Sequence, residues 1–325
     1  YVPLDPQKGD DYIRQVTDSL KPSFEVDDPQ ALLEAGLQGR ELGLERRQTQ
    51  RASEADSAGG GYIIYTSGTT KEPRGVRVSK SQLSLHCPES ALVRGITSGQ
   101  RVSQICSPGF DASCYEVWPT LFSGATVRFI PPALRYDVRA VHEYVQRQGI
   151  DHLFLPTPLG ELFLGLARDA RLASVSVGGD RLHDKDSGAA FPVINAYGPT
   201  ETVIACSLRR MEAGEKIDGT IAHCLSVHTE AILPTGGDVF EGECREGELW
   251  VGGVVASGYV DNTLETARKF VPLPGSDDLV LMHRTGDLVA LADQGMRVVG
   301  RVDRQVKVAG NRINLDSVEA TLVSG

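Results

Sequence analysis

The chain has 325 residues, 41% of them hydrophobic and 23% charged, with a formal net charge of −10. At roughly 150 residues per domain this length predicts about two domains with a real core, and the composition excludes a disordered or collagen-like chain. The acidic balance argues against a general nucleic-acid binder, which needs clustered Lys and Arg, and no apolar run approaches the ~18 residues that span a bilayer.

Residues 1–27 read as a turn and a helix closed by Ser19-Leu-Lys-Pro22, and 30–60 as a polar surface loop ending in Gly59-Gly60-Gly61. Tyr62–Tyr65 is a short β-prone apolar run with the length of a buried strand. It leads into Thr66-Ser-Gly-Thr-Thr-Lys-Glu-Pro-Arg-Gly75, where hydroxyls, glycine amides and the cations Lys71 and Arg74 make an anion cradle. This loop is not a Walker A sequence, and no G-x-G-x-x-G follows a strand. From Arg101 strands alternate with helices: Arg101–Ser107, Ser113–Phe122, Thr126–Ile130, Arg139–Gln148, His152–Leu155, Gly160–Ala167, Leu172–Val177 and Val193–Ala196. That alternation predicts an α/β fold with a largely parallel sheet. After about Arg210 the short runs His228–Leu233, Gly247–Val251, Leu279–Met282, Leu288–Leu291, Met296–Val299 and Gln305–Val308 predict a β-rich subdomain. The expected organisation is an α/β part over 1–210, a β-rich part over 211–303 and a short tail over 304–325.

The six cysteines (Cys87, Cys106, Cys114, Cys206, Cys224 and Cys244) form no C-x-x-C pair, and the seven histidines lack H-x-x-x-H spacing, so a zinc site has no support. Scattered cysteines read as buried reduced thiols, which favours the cytoplasm. Glycine is in excess, 35 of 325 residues against about 7% on average.

Tyr65-Thr-Ser-Gly-Thr-Thr-Lys-Glu-Pro-Arg-Gly-Val76 resembles the phosphate loop of the adenylate-forming superfamily. Further segments follow in that superfamily's order: Phe110-Asp-Ala-Ser113 with Glu116, Asn195-Ala-Tyr-Gly-Pro-Thr-Glu201, Gly247-Glu-Leu-Trp-Val-Gly-Gly253 with Gly258-Tyr259, Arg284-Thr-Gly-Asp287, and Gly300-Arg-Val-Asp-Arg-Gln-Val-Lys307. With Tyr1–Pro6 at its start, the chain most resembles the amino-acid adenylation domains of nonribosomal peptide synthetases. The resemblance implies the large N-terminal α/β core, entered late, plus the beginning of a mobile C-terminal subdomain beyond a hinge at Asp303.

It also implies an activity. An amino-acid carboxylate would attack the α-phosphorus of ATP, giving aminoacyl-AMP and pyrophosphate, and the aminoacyl group would pass to the phosphopantetheine thiol of a carrier domain. A condensation domain is a further expected partner. Two anions must meet, so positioning and positive electrostatics should supply most of the catalysis.

On this resemblance Thr66, Ser67, Gly68, Thr69 and Thr70 hold the β/γ-phosphates. Arg74 stands where lysine is usual, and Lys71 where glycine is usual. Glu201 is the Mg²⁺ ligand, because a hard cation takes carboxylate and phosphate oxygens, and Thr200 contacts the α-phosphate. Asn195 and Tyr197, with Gly179, Ala196 and Gly198, meet adenine, while Val298 stands where many relatives carry an aromatic residue. Asp287 takes the ribose hydroxyls, joined by Arg301 and Lys307.

Asp111 pairs with the substrate α-ammonium. The Ser113…Glu116 spacing is also that of a helix capping box, so a helix-entry role alone for Asp111 stands beside it. Ala112, Tyr115, Phe154, Ser176, Gly178, Ala196, Ile204 and Ala205 line the side-chain pocket. With no charge among them, a neutral, apolar amino acid is expected. Two other readings remain open: an acyl- or aryl-CoA ligase, and a degenerate, non-catalytic nucleotide-binding or interaction module.

Overall fold

The computed structural model describes residues 9, 11, 12, 14–16, 60–66, 73–186, 188–234, 245–274, 280–303, 305–308, 311–315 and 319. The chain divides into two compact units, residues 4–60 and the remainder. Within the first, Asp11, Tyr12 and Arg14–Val16 are helical, in line with the expected N-terminal helix, and the polar stretch 30–59 lies outside the described residues.

In the second unit β1 (Gly61–Thr66) and β2 (Arg74–Ser79) form an antiparallel pair in which Thr66 faces Arg74. Helix α1 (Lys80–Arg94) follows at once. Ser79 caps it by accepting from the Gln82 amide while Gln82 reaches back to the Ser79 amide, and Gly95 ends it with φ 74°.

Then strands and helices alternate: β3 (Arg101–Gln104), α2 (Asp111–Phe122), β4 (Thr126–Phe129), α3 (Val138–Gln148), β5 (His152–Pro156), α4 (Thr157–Leu166), β6 (Ser174–Gly178), β7 (Val193–Tyr197) and β8 (Ser207–Met211). These six strands make one sheet in the order β4-β3-β5-β6-β7-β8, parallel except for β8 on β7. The reason lies in the side chains. β6 is buried along its whole length, so helices must cover both faces, and parallel neighbours need crossover connections.

The β-rich part is an antiparallel sheet of β9 (His228–Leu233), β10 (Glu246–Gly253), β11 (Phe270–Pro272), β12 (Leu281–Ala292) and β13 (Gly295–Arg301), with α5 (Thr263–Lys269) leading into β11. One difference from the sequence reading is instructive. The runs Leu279–Met282 and Leu288–Leu291 belong to a single strand, β12, at least from Leu281. The polar residues between them look like a break, yet His283, Thr285 and Asp287 are buried within the strand. Beyond it, β14 (Gln305–Val308) and β15 (Asn311–Asn314) form a small hairpin.

Apolar packing joins the two large sheets: one core contains Val177 and Ile194 together with Leu249, Val289 and Met296. Of the cysteines, Cys87, Cys106, Cys114 and Cys206 are buried free thiols. Among the described residues no helix is long and apolar enough to cross a membrane.

His86 of α1 and His228 of β9 lie edge to face with ring centroids 6.4 Å apart. Burial, then the neighbouring His228 and Arg94, lowers the His86 pKa from 6.5 to about 3. Burial lowers that of His228 to about 4. Between pH 6.5 and about 4 the unfolded chain therefore takes up protons that the folded chain refuses. The contribution of the two histidines is complete above this window and is lost as the pH falls through it. The urea midpoint should drop between pH 7 and 4, and less steeply for His86→Leu; parallel curves for the two proteins would refute this account.

Candidate active site

Gly178 and Ala196, partners on β6 and β7, sit at the C-terminal ends of parallel strands, where open α/β sheets bind ligands. A cavity of about 520 Å³ opens there. Its lining includes Gly179, Asn195, Ala196, Tyr197 and Gly198 from the six-stranded sheet, and Asp287, Val298, Arg301 and Asp303 from the second sheet and its exit. All of these except Asp303, which was expected as the hinge, are residues the sequence placed around adenine or ribose.

The polar geometry is tight. The Tyr197 hydroxyl donates to Asp287 Oδ2 at 2.6 Å, and Arg301 donates to Asp287 Oδ1. Arg301 also grips Asp303 through two N–H groups, at 2.7 and 2.9 Å. Burial and the Asp287 carboxylate push the Tyr197 phenol up, so it stays protonated and donates. Burial alone would depress Arg301, but Asp303 and Asp287 outweigh it and hold the guanidinium charged. Asn195 is oriented by a bond from Nδ2 to the Thr220 carbonyl, 2.8 Å.

After Gly198 the chain makes the turn that carries Thr200 and Glu201. A Cβ on Gly198 would lie 2.7 Å from both Ala205 Cα and the Cys206 amide nitrogen, so only glycine lets the turn fold back. Val203 and Ile204 take φ of 57° and 76°, conformations that cost roughly 1–3 kcal/mol each and collect at functional sites. Glu201 is buried, and its Oε1 accepts from the Tyr259 hydroxyl at 2.7 Å. Arg74 is buried too. Its Nη1 pairs with Glu265 of α5 at 2.7 Å, and its guanidinium carbon stands 5.8 Å from the Tyr259 ring centroid. Tyr259 thus links the two side chains expected at the phosphates, Glu201 and Arg74.

Among the described residues no three His, Cys, Asp or Glu side chains form a metal cluster. A lone carboxylate suits a cation that takes its other oxygens from phosphate and water, as Mg²⁺ does.

Asp111 is the first residue of α2. The capping box expected from Ser113 and Glu116 does not form, because the helix begins two residues before Ser113, which lies inside it and donates to the Phe110 carbonyl at 2.7 Å; Asp111 stands in the first turn, where the helix-entry alternative puts it. Glu116 instead accepts from the backbone amides of Ile105 and Cys106, at 2.7 and 3.0 Å. Burial pushes its pKa up to about 8 against the pull of those bonds.

Five of the residues expected at the side-chain pocket, Tyr115, Phe154, Ser176, Gly178 and Ala196, are neighbours in the structure. Phe154 faces Ser176 and Gly178 faces Ala196 across β5, β6 and β7. Tyr115 donates to Ser176 Oγ at 3.0 Å and meets Phe154 edge to face. Ala112 is half-buried on α2, and Ile204 and Ala205 are buried in the strained turn. One charge was missed. Arg94, fully buried, lies 4.0 Å over the Tyr115 ring and donates to the Tyr115 carbonyl.

Ser67, Gly68, Thr69, Thr70 and Lys71 lie outside the described residues, as does the side chain of Lys307; Thr66 ends β1 opposite Arg74. Tyr259, Glu265 and Arg94 were given no role because their partners are remote in sequence. Gly258-Tyr259, quoted above as part of a motif, was the one available signal.

A family profile described as AMP-binding enzyme matches residues 4–260. The chain belongs to the AMP-binding enzyme family. Surfactin synthase subunit 2 of Bacillus subtilis is 37% identical over 268 residues, which are 80% of this chain and 7% of that protein. The crystal structure of the Vibrio cholerae adenylation domain AlmE in complex with glycyl-adenosine-5'-phosphate aligns with TM-score 0.70 and 26% identity, over 81% of this chain and 52% of that one. The holo-PA1221 structure, a nonribosomal peptide synthetase protein with adenylation and PCP domains, shares the fold: TM-score 0.78, 22% identity, 99% of this chain and 58% of that one. The chain is thus part of an adenylation domain and spans well under two thirds of each of these relatives.

In this AMP-binding family member the Arg74–Glu265 pair generates a prediction. If Arg74 meets the phosphates as the sequence leads one to expect, Glu265→Gln removes a carboxylate that competes for it, and MgATP should bind about three- to tenfold tighter. AMP, which lacks the β- and γ-phosphates, should change less than twofold. Calorimetric titration of both nucleotides decides it. Weaker MgATP binding would show instead that Glu265 holds Arg74 in its working position.

Proposed function

We propose that this chain activates a neutral, apolar α-amino acid as aminoacyl-AMP with release of pyrophosphate, for transfer to the phosphopantetheine thiol of a carrier domain. The observation that carries the reading is the strand-end cavity in which Asn195, Tyr197, Asp287 and Arg301 converge.

On this reading adenine lies against Tyr197 with its amine toward Asn195, and the ribose hydroxyls meet Asp287. Thr200 and Arg74 face the phosphates, and Thr66 at the end of β1, with Ser67, Gly68, Thr69 and Thr70 that follow it in sequence, would donate to them. Mg²⁺, when bound, would neutralise phosphate charge, and Glu201 is its protein ligand. Asp111 holds the α-ammonium, so the substrate carboxylate is presented to the α-phosphorus. The gain comes from fixing two anions at near-attack distance beside cations in a partly dry site. Ala112, Tyr115, Phe154, Ser176, Gly178, Ala196, Ile204 and Ala205 are neutral, so none of them offsets the desolvation of a charged substrate. The Arg94 guanidinium over Tyr115 disfavours a cationic one further.

One observation favours a second reading, nucleotide binding without turnover: Arg74, the expected phosphate cation, is held by Glu265.

ATP–pyrophosphate exchange across amino, fatty and aryl acids separates the readings. Exchange with apolar amino acids supports the first, exchange only with fatty or aryl acids overturns it, and ATP binding with no exchange supports the second. For Asp111→Ala, affinity for a non-hydrolysable aminoacyl-sulfamoyl adenosine should fall about a hundredfold, an ion pair in a closed site being worth roughly 3 kcal/mol, while AMP affinity holds. Equal affinity for the analogue in both proteins would remove the ammonium assignment.

A further inference from the structure

The strap 217–221 contributes Gly219 and Ile221 to the cavity lining, and its polar residue Asp218 belongs to no assigned site. The strap is pinned at both ends, Ile217 bridging Lys185 and Ile221 bridging Met296. Between the pins Gly219 lines the cavity with φ +63°; a Cβ there would meet the Leu182 carbonyl oxygen at 2.6 Å, so the strap lies as close as backbone allows. Next comes Thr220, whose carbonyl accepts the Asn195 amide.

Asp218 gathers contacts from three directions. Its Oδ1 accepts from the Thr220 amide at 3.0 Å and the Thr220 hydroxyl at 2.6 Å. Arg209 donates to both carboxylate oxygens, at 3.3 and 2.9 Å, and Arg297 donates to the Asp218 carbonyl at 2.6 Å. Arg209 is itself the cross-strand partner of Asn195 on β8, so the strand beside Asn195 holds the residue that sets the Asn195 acceptor. A salt bridge on a flexible loop is worth little. Here the arginine is nine-tenths buried on a strand, and the aspartate's other bonds hold the Thr220 amide and hydroxyl, while the peptide unit of the Thr220 carbonyl is held by the Ile221 amide on the Met296 carbonyl.

We propose that Asp218 is a positioning residue for base recognition: by holding Thr220 it orients the Asn195 amide, and so sets the preference for a base with an exocyclic amine. This deepens the proposed function and rests on adenine meeting Asn195.

The test is binding of ATP and of inosine triphosphate, which lacks that amine, to the full chain with Mg²⁺, without turnover. Asp218→Asn should reduce the ATP preference about fivefold, the worth of one misaligned hydrogen bond, mostly by weakening ATP, with inosine triphosphate within twofold. Thr220→Val, which removes only the hydroxyl bond, should shift the ratio about twofold in the same direction, and it serves should Asp218→Asn not fold. Asn195→Ala should abolish the preference. Equal weakening of both nucleotides in Asp218→Asn, or an unchanged ratio in Asp218→Asn and Thr220→Val while Asn195→Ala loses it, would overturn the positioning role alone. An unchanged ratio in Asn195→Ala would instead overturn the placement of adenine, and the inference with it.

Discussion

A buried carboxylate is costly unless it is fully partnered, and Asp287 meets that condition with groups from two sheets. Tyr197 reaches it from the end of β7 and Arg301 from β13, while its own amide bonds the Thr285 hydroxyl. The arrangement does more than satisfy one anion. It ties the last turn of the six-stranded sheet to the centre of the antiparallel one, and the cavity is the space left between them. Arg301 carries the tie onward to Asp303, at the exit from β13. Lining residues from both sheets are therefore set by one charge cluster, with the shared apolar core beneath it supplying the larger part of the cohesion.

The phosphate end follows another logic. The turn after β7 holds two β-branched residues at positive φ, a cost that the surrounding packing must absorb. What it achieves is to bring Glu201 to Tyr259 and to turn Ile204 and Ala205 back toward the strand ends. The backbone reinforces this, with the Cys206 amide on the Tyr197 carbonyl and the Ala256 amide on the Glu201 carbonyl. Strain and anchoring occur in the same few residues, as expected where a side chain must be held against its local preference.

How much of this was legible in the sequence divides by distance along the chain. The parallel sheet was readable because β5 and β6 are short, apolar and separated by helical periodicity. Asn195–Glu201 and Arg284–Asp287 were readable because each packs its chemistry into a few consecutive residues. The pairings were not. Arg74 and Glu265 are 191 residues apart, Tyr259 and Glu201 are 58 apart, and nothing local marks either pair. Glu116 misled for a related reason: three residues after Ser113 it has capping spacing, but the helix starts at Asp111, and its carboxylate serves strand-end amides instead. Asp218 lies in none of the motifs, and its pairing with Arg209, nine residues away, shows only in the fold. The break expected inside β12 failed because polar residues can be buried when paired, which periodicity does not register.

The Arg74–Glu265 pair gives the departure from lysine a physical sense. A lysine ammonium is compact and strongly hydrated, so burying it beside one carboxylate is expensive; a guanidinium is less hydrated and suited to buried pairing. Arginine at 74 and glutamate at 265 therefore read as one feature. Its consequence is linkage. Glu265 lies in the first turn of α5, which runs directly into β11 and so to β12, the strand that carries Asp287. On the proposed function, the ribose end of the nucleotide answers to β12 and the phosphate end competes with α5, so both ends are coupled through the antiparallel sheet. Phosphates that draw Arg74 from Glu265 must favour the arrangement in which that carboxylate is released, and whatever stabilises that arrangement must tighten nucleotide binding by the same factor.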